Sequence, residues 1–165
     1  LVAQEVAKLG IDVIIASPLK RTRQTAEAIS RAIDIEPIFD EAWFELSFGD
    51  WDGRSVEEVR SESPDEYQAW INSSSYSPPG GESYDEAAIR VDDALEAILA
   101  SYPGKNVLVV SHNGVIKSAI NLALGGPSDG VFHMDASPCS ISSISIWPSD
   151  GLRAVRSFNE RGHLR

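Results

Sequence analysis

A short apolar run that stops at a polar turn constrains the fold of this chain more than any other feature. Residues 107–110 are apolar and three of them are β-branched, which is typical of a strand buried on both faces. The turn 111–114 (Ser-His-Asn-Gly) follows, and apolar residues at helical spacing then continue to the glycines at 125–126. His112 is thus predicted at a strand-to-helix junction, where open α/β sheets bind ligands. On position alone, a functional imidazole and a histidine that only caps the turn are equally good interpretations.

Predicted helices and strands alternate along the rest of the chain. The helices are expected at 1–9, 18–33, 55–61, 63–71, 83–102 and 113–124, and the strands at 12–16, 35–39, 107–110, 141–147 and 152–158. Ser17 and Pro18 have the residue types of an N-cap and a first helical position, and 63–66 and 83–86 have the capping-box pattern. Residues 72–82 are predicted to form a mobile surface loop or lid. This order of elements predicts an α/β sheet.

Composition limits the classes of partner. The 165 residues are expected to form one domain, and their formal net charge of −11 argues against nucleic-acid binding. A small anionic substrate remains compatible with that charge, because one local cationic pocket can oppose the overall field. The single cysteine, Cys139, allows no internal disulfide and favours a cytoplasmic location, and no membrane span or signal peptide is predicted. Because the chain begins at Leu1 inside a predicted helix, upstream sequence is expected to be missing.

Three cations in the first turns of the second helix form a second signal. Lys20, Arg21 and Arg23 stand where the helix dipole is already positive, which disfavours each of them by a few tenths of a kcal/mol. A bound anion, held by the dipole, the free N–H groups and a guanidinium fork, explains such an arrangement. The alternative is that Lys20 and Arg23 are solvated and Arg21 pairs with a carboxylate.

Glu45 provides a third signal because aromatic residues surround it in the segment 43–51. Partial desolvation of such a carboxyl group raises its pKa toward the range that suits a general acid. An ordinary loop glutamate is the alternative interpretation. His133 and His163 are expected to be non-catalytic, and no residues have metal-ligand spacing or form a Walker-type phosphate loop.

Together these motifs resemble the histidine phosphatase superfamily, also called the phosphoglycerate mutase-like family. The resemblance covers nearly the whole chain, in order. The matching segments are 17–26, similar to a phosphate-binding segment; 45–53, similar to the acid segment; 80–83, before the long helix; 111–114, similar to the second-histidine segment; and 158–164 at the end. Asp52 and Asn113 depart from the pattern, since Glu and Gly are commoner there. The resemblance implies an α/β three-layer sandwich with a mostly parallel central sheet.

One departure is larger. The family's Arg-His-Gly segment, which carries the phosphate-accepting histidine, is absent, and none of His112, His133 and His163 matches it. In the family that segment ends a central strand, so a sheet without it is expected to have two unpaired strand edges in its middle. We therefore interpret residues 1–165 as a single histidine phosphatase domain that lacks its N-terminal strand and catalytic-histidine turn.

The resemblance implies phosphoryl transfer through a phosphohistidine, followed by hydrolysis. Arg21 and His112 are then expected to stabilise charge on the phosphoryl oxygens, His112 as a second charged contact, and the Asn113 backbone N–H adds a donor. Glu45 is expected to protonate the leaving alkoxide and later to activate water. Phe48 and Trp51 are candidates for the leaving-group side. The resemblance implies neither a metal nor another cofactor.

Within the family, the short spacing between Glu45 and His112 resembles the small phosphatases more than the mutases that use bisphosphoglycerate. We therefore expect a phosphomonoester hydrolase that acts on a small phosphorylated metabolite. A bisphosphoglycerate-dependent phosphoglycerate mutase and a non-catalytic phosphate-binding or interaction module are the alternatives. The sequence also leaves open whether the chain forms a homodimer.

Overall fold

The computed structural model describes all 165 residues and contains six α-helices and five strands. They follow in the order α1 Val2–Val6, β1 Val13–Ala16, α2 Lys20–Ile33, β2 Pro37–Phe39, α3 Val56–Glu62, α4 Pro64–Asn72, α5 Tyr84–Ser101, β3 Val107–Val110, α6 Asn113–Leu124, β4 Ile141–Ile146 and β5 Arg153–Glu160. Short 3-10 turns lie at Glu41–Trp43, Gly49–Trp51, Ser128–His133 and Gly162–Leu164. No helix has the length and hydrophobicity that crossing a bilayer requires.

The strands β1, β2 and β3 form a parallel sheet in the order β2-β1-β3. Side chains alternate across this sheet, so Ile14 and Ala16 pack on one face with buried residues of α1 and α2. Ile15 packs on the opposite face with buried residues of α5 and α6. The predicted α/β architecture with helices on both sides of a parallel sheet is therefore confirmed.

A second sheet consists only of the antiparallel hairpin β4-β5. The outer edge of β3 and the free edge of β4 have no strand partner, as expected for a sheet interrupted in its middle. Apolar residues of β3 and β4 nevertheless pack against the same two cores. The prediction that 107–110 is buried on both faces is wrong: all four residues are half-buried, which the unpaired edge of β3 explains.

The start of α2 and the capping box predicted at 63–66 differ from the predictions. Helix α2 begins at Lys20 rather than at Pro18, and Leu19 occupies its N-cap without a side-chain hydrogen bond. Ser63 is the N-cap of α4, but it makes no capping bond. The capping box predicted at 83–86 is present, because the Ser83 hydroxyl accepts from the Glu86 N–H and the Glu86 side chain accepts from the Ser83 N–H.

The loop 72–82, predicted to be a mobile surface loop or lid, is bonded to its neighbours. The Ser74 N–H donates to Asp129 at 2.7 Å, and the Glu82 N–H donates to the Ser47 carbonyl at 2.8 Å. Ser74 is buried. The bond from Glu82 to Ser47 holds the loop against the segment that contains Glu45, and the bond from Ser74 to Asp129 holds its other end.

Candidate active site at the carboxyl ends of the parallel strands

Arg21 and His112 meet directly at the carboxyl ends of β1 and β3. The Arg21 Nε–H donates to His112 Nδ1 over 3.0 Å. The sheet register brings them together, since Ala16 of β1 pairs with Val110 of β3 and each strand leads into a turn at this edge. The two residues that the sequence placed at separate strand-to-helix junctions therefore lie in one site.

The tautomer of His112 follows from its two partners. Nδ1 accepts from Arg21, so the ring proton is on Nε2, which lies 2.8 Å from the Ser17 hydroxyl oxygen and donates to it. Burial and the nearby Arg21 charge lower the pKa of His112 from 6.5 to about 4. His112 is therefore neutral at pH 7 when the site holds no anion, which differs from the charged imidazole expected above.

Ser17 is fully buried and bonds to His112 instead of capping helix α2, so the predicted N-cap role is wrong. The Thr22 hydroxyl donates to the Ser17 carbonyl at 2.8 Å and fixes the turn that carries Ser17. Sequence reasoning missed this contact because a serine before proline is also the usual pattern of a helix start. The signal for it is its place directly after a buried strand.

Arg21 has no carboxylate partner, which excludes the alternative interpretation of an ion pair. It is exposed, and only its Nε makes a hydrogen bond, so both terminal nitrogens remain available. Arg23 instead places its guanidinium 3.8 Å from the centre of the Phe39 ring, a cation–π contact. Lys20 is exposed, as the solvated alternative predicted. Of the three cations, Arg21 is the one that contacts His112.

Glu45 lies beside the N-terminus of α6, where Gly114 leaves room for it. A Cβ atom on Gly114 would lie 2.8 Å from Glu45 Oε1 and 2.7 Å from Leu46 Cδ1. Burial raises the pKa of Glu45, while the backbone N–H groups of Leu46, Gly114 and Val115 and the charge of Arg21 partly offset this. The structure therefore provides a partly desolvated carboxyl group that senses the charge of Arg21 and has the raised pKa expected from its surroundings.

Arg90 of α5 fixes the segment before Glu45. Its Nη1 donates to the carbonyls of Ala42 at 2.7 Å and Phe44 at 3.1 Å. Its Nε and Nη2 donate to the two carboxylate oxygens of Glu82 at 2.9 and 2.7 Å. This bidentate pair ties the loop 72–82 to the acid segment. Sequence reasoning missed Arg90 because an arginine on an amphipathic helix usually faces solvent.

Two glycines allow the same loop to approach the acid segment closely. A Cβ atom on Gly49 would lie 2.1 Å from the Pro79 carbonyl oxygen, and one on Gly81 would lie 2.6 Å from the Ser47 carbonyl oxygen. Gly49 also has a positive φ of 55°. The contact is thus made backbone to backbone, and any side chain would separate the two segments.

An aromatic cluster around Trp70 includes two side chains of the acid segment, Phe48 and Trp51. Phe48 and Trp51 each have ring centres 6.0 Å from that of Trp70, and Tyr84 lies 6.4 Å from it. Trp51 is buried. The cluster therefore packs the acid segment against Trp70 of α4. The expected role of Phe48 and Trp51 on the leaving-group side remains a prediction.

Of the remaining candidate residues, Asn113 lies at the helix end beside His112, whereas His133 and His163 do not contact the site. Asn113 is exposed and begins α6, so its backbone N–H lies at the helix N-terminus as expected. His133 is exposed, and His163 Nε2 lies 2.9 Å from the Cys139 carbonyl, so neither contacts Arg21 or His112. No group of three or more His, Cys, Asp or Glu side chains is arranged to hold a metal ion.

A broad cleft of about 980 Å³ lies on the side of the acid segment that faces α5. Six of its lining residues are carboxylates: Asp40, Glu41, Glu45, Glu82, Glu86 and Asp93. Neither Arg21 nor His112 lines it. The charge of these carboxylates disfavours an anionic ligand in this cleft.

Residues 1–160 match the model of the histidine phosphatase superfamily (branch 1). The bifunctional protein Rv2228c of Mycobacterium tuberculosis is 35% identical over 155 residues, which cover 94% of this chain and 42% of that protein. Phosphoserine phosphatase 1 of Hydrogenobacter thermophilus is 35% identical over 126 residues, covering 76% of this chain and 60% of that enzyme. The chain thus spans less than two thirds of the length of these curated relatives.

Solved structures agree with the family match. Bacillus stearothermophilus YhfR superposes with a TM-score of 0.90 at 23% identity, covering 99% of this chain and 81% of that one. The α-ribazole phosphatase of Shigella flexneri gives a TM-score of 0.79 at 27% identity, covering 96% and 80%. The superpositions show the shared fold, and the family match over residues 1–160 shows that the chain belongs to the histidine phosphatase superfamily.

Proposed function

We propose that this chain provides the phosphate-binding and acid groups of a phosphomonoester hydrolase that works through a phosphohistidine. The observation that carries the proposal is the 3.0 Å bond from Arg21 Nε to His112 Nδ1, beside the N-terminus of α6. The two terminal nitrogens of Arg21 can bind two phosphoryl oxygens, and the Asn113 backbone N–H can bind a third. These donors stabilise the charge that the transition state spreads over the phosphoryl oxygens.

Binding of phosphate offsets one of the two causes that keep His112 neutral, since burial, the larger cause, remains and the Arg21 charge is compensated. The Arg21 charge contributes to the low pKa of His112, and a phosphoryl dianion beside both groups offsets that charge. The anion therefore favours protonation of His112 at Nδ1, which breaks the bond that Nδ1 accepts from Arg21 and turns Nδ1 into a donor for a phosphoryl oxygen, while Nε2 keeps its bond to Ser17. His112 supplies the second charged contact only after the substrate has bound.

Glu45 has the properties that the acid step requires. Its carboxyl group is partly desolvated, its pKa is raised, and it lies beside Gly114 in the first turn of α6, two residues after His112. As a general acid it donates a proton to the leaving alkoxide while the bond from phosphorus to oxygen breaks. The resulting carboxylate then accepts a proton from the water that hydrolyses the phosphohistidine.

The nucleophile is proposed to come from a segment that precedes Leu1. The outer edge of β3 and the free edge of β4 are unpaired, yet both strands pack on the same two cores. One further strand between them would pair with both edges and complete the sheet. It would also cover the half-buried residues of β3. Its carboxyl end would then emerge beside the turns that carry Arg21 and His112 if it ran parallel to β3.

Hydrolysis is favoured over the alternatives for two reasons. The relatives named phosphoserine phosphatase 1 and α-ribazole phosphatase are phosphatases by name, and the spacing from Glu45 to His112 is short. A mutase that uses bisphosphoglycerate is the second candidate within the same family.

We propose a small phosphorylated metabolite as the partner. We also propose the cytoplasm as the location, because the single Cys139 allows no internal disulfide.

The test uses the gene product that carries this chain and a radiolabelled aryl phosphate. Acid-sensitive, alkali-stable label on the quenched protein, together with release of inorganic phosphate, supports the proposal. Isomerisation of phosphoglycerate that requires bisphosphoglycerate and exceeds hydrolysis supports the mutase instead. Phosphate binding without labelling or hydrolysis indicates a non-catalytic module.

A further inference from the structure

The three carbonyl groups of residues 42–44, directly before Glu45, accept no hydrogen bond from a backbone N–H. Carbonyl groups next to a buried side chain such as Trp43 need another donor. Two side chains from elsewhere in the fold provide it. Arg90 Nη1 donates to the first and third carbonyls, and the Ser111 hydroxyl donates to the second over 2.9 Å. The backbone that leads into the acid is therefore held by side chains rather than by a helix or a strand.

Arg90 also holds the chain on the other side of Glu45, through Glu82. Its Nε and Nη2 donate to the two carboxylate oxygens of Glu82, and the Glu82 N–H donates to the Ser47 carbonyl. These contacts close a ring that runs along the backbone from Phe44 to Ser47 and returns through the ion pair. Both flanks of the acid are thus tied to one guanidinium group.

Ser111 relates the acid segment to the phosphate-binding pair. It stands directly before His112, and its hydroxyl holds the carbonyl of Trp43, two residues before Glu45. On the other side of the acid, a Cβ atom on Gly114 would lie 2.8 Å from Glu45 Oε1. The position of the acid relative to His112 therefore depends on how the segment before the acid is held.

The guanidinium group of Arg90 is already engaged by the protein. Four of its five N–H groups donate to protein oxygens, and the carboxylate of Glu82 neutralises its charge. A lysine cannot reproduce this arrangement, because one ammonium does not bridge two carbonyls and bind a carboxylate in a bidentate manner at the same time. Arg90 therefore acts through the acid segment rather than on the substrate.

We propose that Arg90, together with Glu82, is a positioning residue for the general acid. This inference rests on the proposed function, in which Glu45 protonates the leaving oxygen. A general acid must lie within hydrogen-bond reach of that oxygen, at about 2.6 to 3.2 Å, and a displacement of about 1 Å can cost about 100-fold in rate. Opening the ring should therefore impair the proton transfer and leave phosphoryl binding at Arg21 and His112 largely intact.

The test compares kcat/KM for glycerol phosphate, a poor leaving group, with kcat/KM for p-nitrophenyl phosphate in the gene product that carries this chain. Arg90→Lys should lower the ratio of the first to the second by about 10- to 100-fold. The matched control is Arg153→Lys, which should leave the ratio unchanged. Arg153 also pairs with two carboxylates of α5, Asp92 and Glu96, but it makes no hydrogen bond to the acid segment.

The ratio separates positioning from stability, because a smaller folded fraction lowers both kcat/KM values equally. Glu82→Gln opens the ring at its other end and should lower the ratio as well, by a smaller factor. In the Glu45→Gln background, Arg90→Lys should not lower the ratio further, since no acid is left to position.

An unchanged ratio in Arg90→Lys, or in Glu82→Gln if Arg90→Lys does not fold, overturns the inference. The same loss with and without the Glu45 carboxyl group also overturns it, because Arg90 then acts by another route. In both cases the proposed function stands as long as the wild-type protein hydrolyses the two esters. If the wild-type protein hydrolyses neither ester, the proposed function is wrong as well, so the two failures are distinguishable.

Discussion

Arg21 and His112 lie 91 positions apart in the chain and are joined by a 3.0 Å hydrogen bond from Nε to Nδ1. The bond follows from the parallel pairing of β1 with β3, in which Ala16 is opposite Val110. Because each strand ends at this edge, the residues that follow are held side by side. The same bond orients the Arg21 guanidinium and fixes the tautomer of His112.

The first prediction concerns the acid. Glu45→Gln should lower kcat/KM by about 100-fold or more for glycerol phosphate, whose alkoxide needs a proton to leave. For p-nitrophenyl phosphate the loss should be much smaller, because p-nitrophenolate leaves without protonation. The value of kcat/KM is the quantity to compare, since it reports the steps up to phosphoryl transfer. Glu41→Gln, at an exposed glutamate of the same segment, is the matched control. Equal losses for the two esters would argue against Glu45 as the general acid.

The second prediction concerns pH. The pKa of His112 is about 4 in the folded protein and about 6.5 when unfolded, so the unfolded state binds more protons between these values. The free energy of unfolding should therefore fall as pH decreases from about 6.5 to about 4. The shift corresponds to about 3 kcal/mol at most, and we expect about 1 to 2 kcal/mol because water screens the exposed Arg21.

Urea denaturation of the wild type and of His112→Gln at pH 7 and pH 4.5 measures this effect. The variant should lose less stability than the wild type over that interval, because glutamine binds no proton. His133→Gln, at an exposed histidine, controls for removal of an imidazole. Identical losses in the wild type and His112→Gln would show that His112 is not held neutral by its surroundings.

The third prediction concerns the close approach at Gly114. A methyl group there would overlap Glu45 Oε1 and Leu46 Cδ1, at 2.8 and 2.7 Å. Gly114→Ala should therefore destabilise the protein by about 1 to 3 kcal/mol and displace the acid. Thermal unfolding measures the first effect, and the second should appear as a selective loss of activity toward poor leaving groups. Gly162→Ala, which meets no atom within 4 Å, should be neutral in both measurements. Wild-type stability and selectivity in Gly114→Ala would contradict the described contact.

The fold was predictable where apolar periodicity determines it. The run 107–110 and the apolar positions of α5 and α6 indicate buried faces that only a sheet with covering helices satisfies. The start of α2 was not predictable, because Ser17 suits both an N-cap and a partner for His112, and the tertiary contact prevails. Strand pairing was also not predictable from local pattern, since it depends on which edges find partners.

The candidate site was predictable only in part. Arg21, Glu45 and His112 stand out because each breaks a local rule: a cation at a positive helix end, a carboxyl among aromatics, and an imidazole after a buried strand. Arg90 breaks none, so only its three-dimensional contacts distinguish it. The neutral state of His112 likewise depends on burial and on Arg21, which the sequence alone does not bring together.

The fourth prediction addresses phosphoryl binding itself, through the kcat/KM of Arg21→Ala for p-nitrophenyl phosphate. Arg21 is exposed, so its removal should leave the fold intact, and Lys20→Ala removes a neighbouring exposed charge of the same helix turn without touching His112. If Arg21 and His112 surround one phosphoryl group, Arg21→Ala should lose at least about 100-fold in kcat/KM and Lys20→Ala only a few-fold. Wild-type activity in Arg21→Ala, or an equal loss in both variants, would contradict that arrangement.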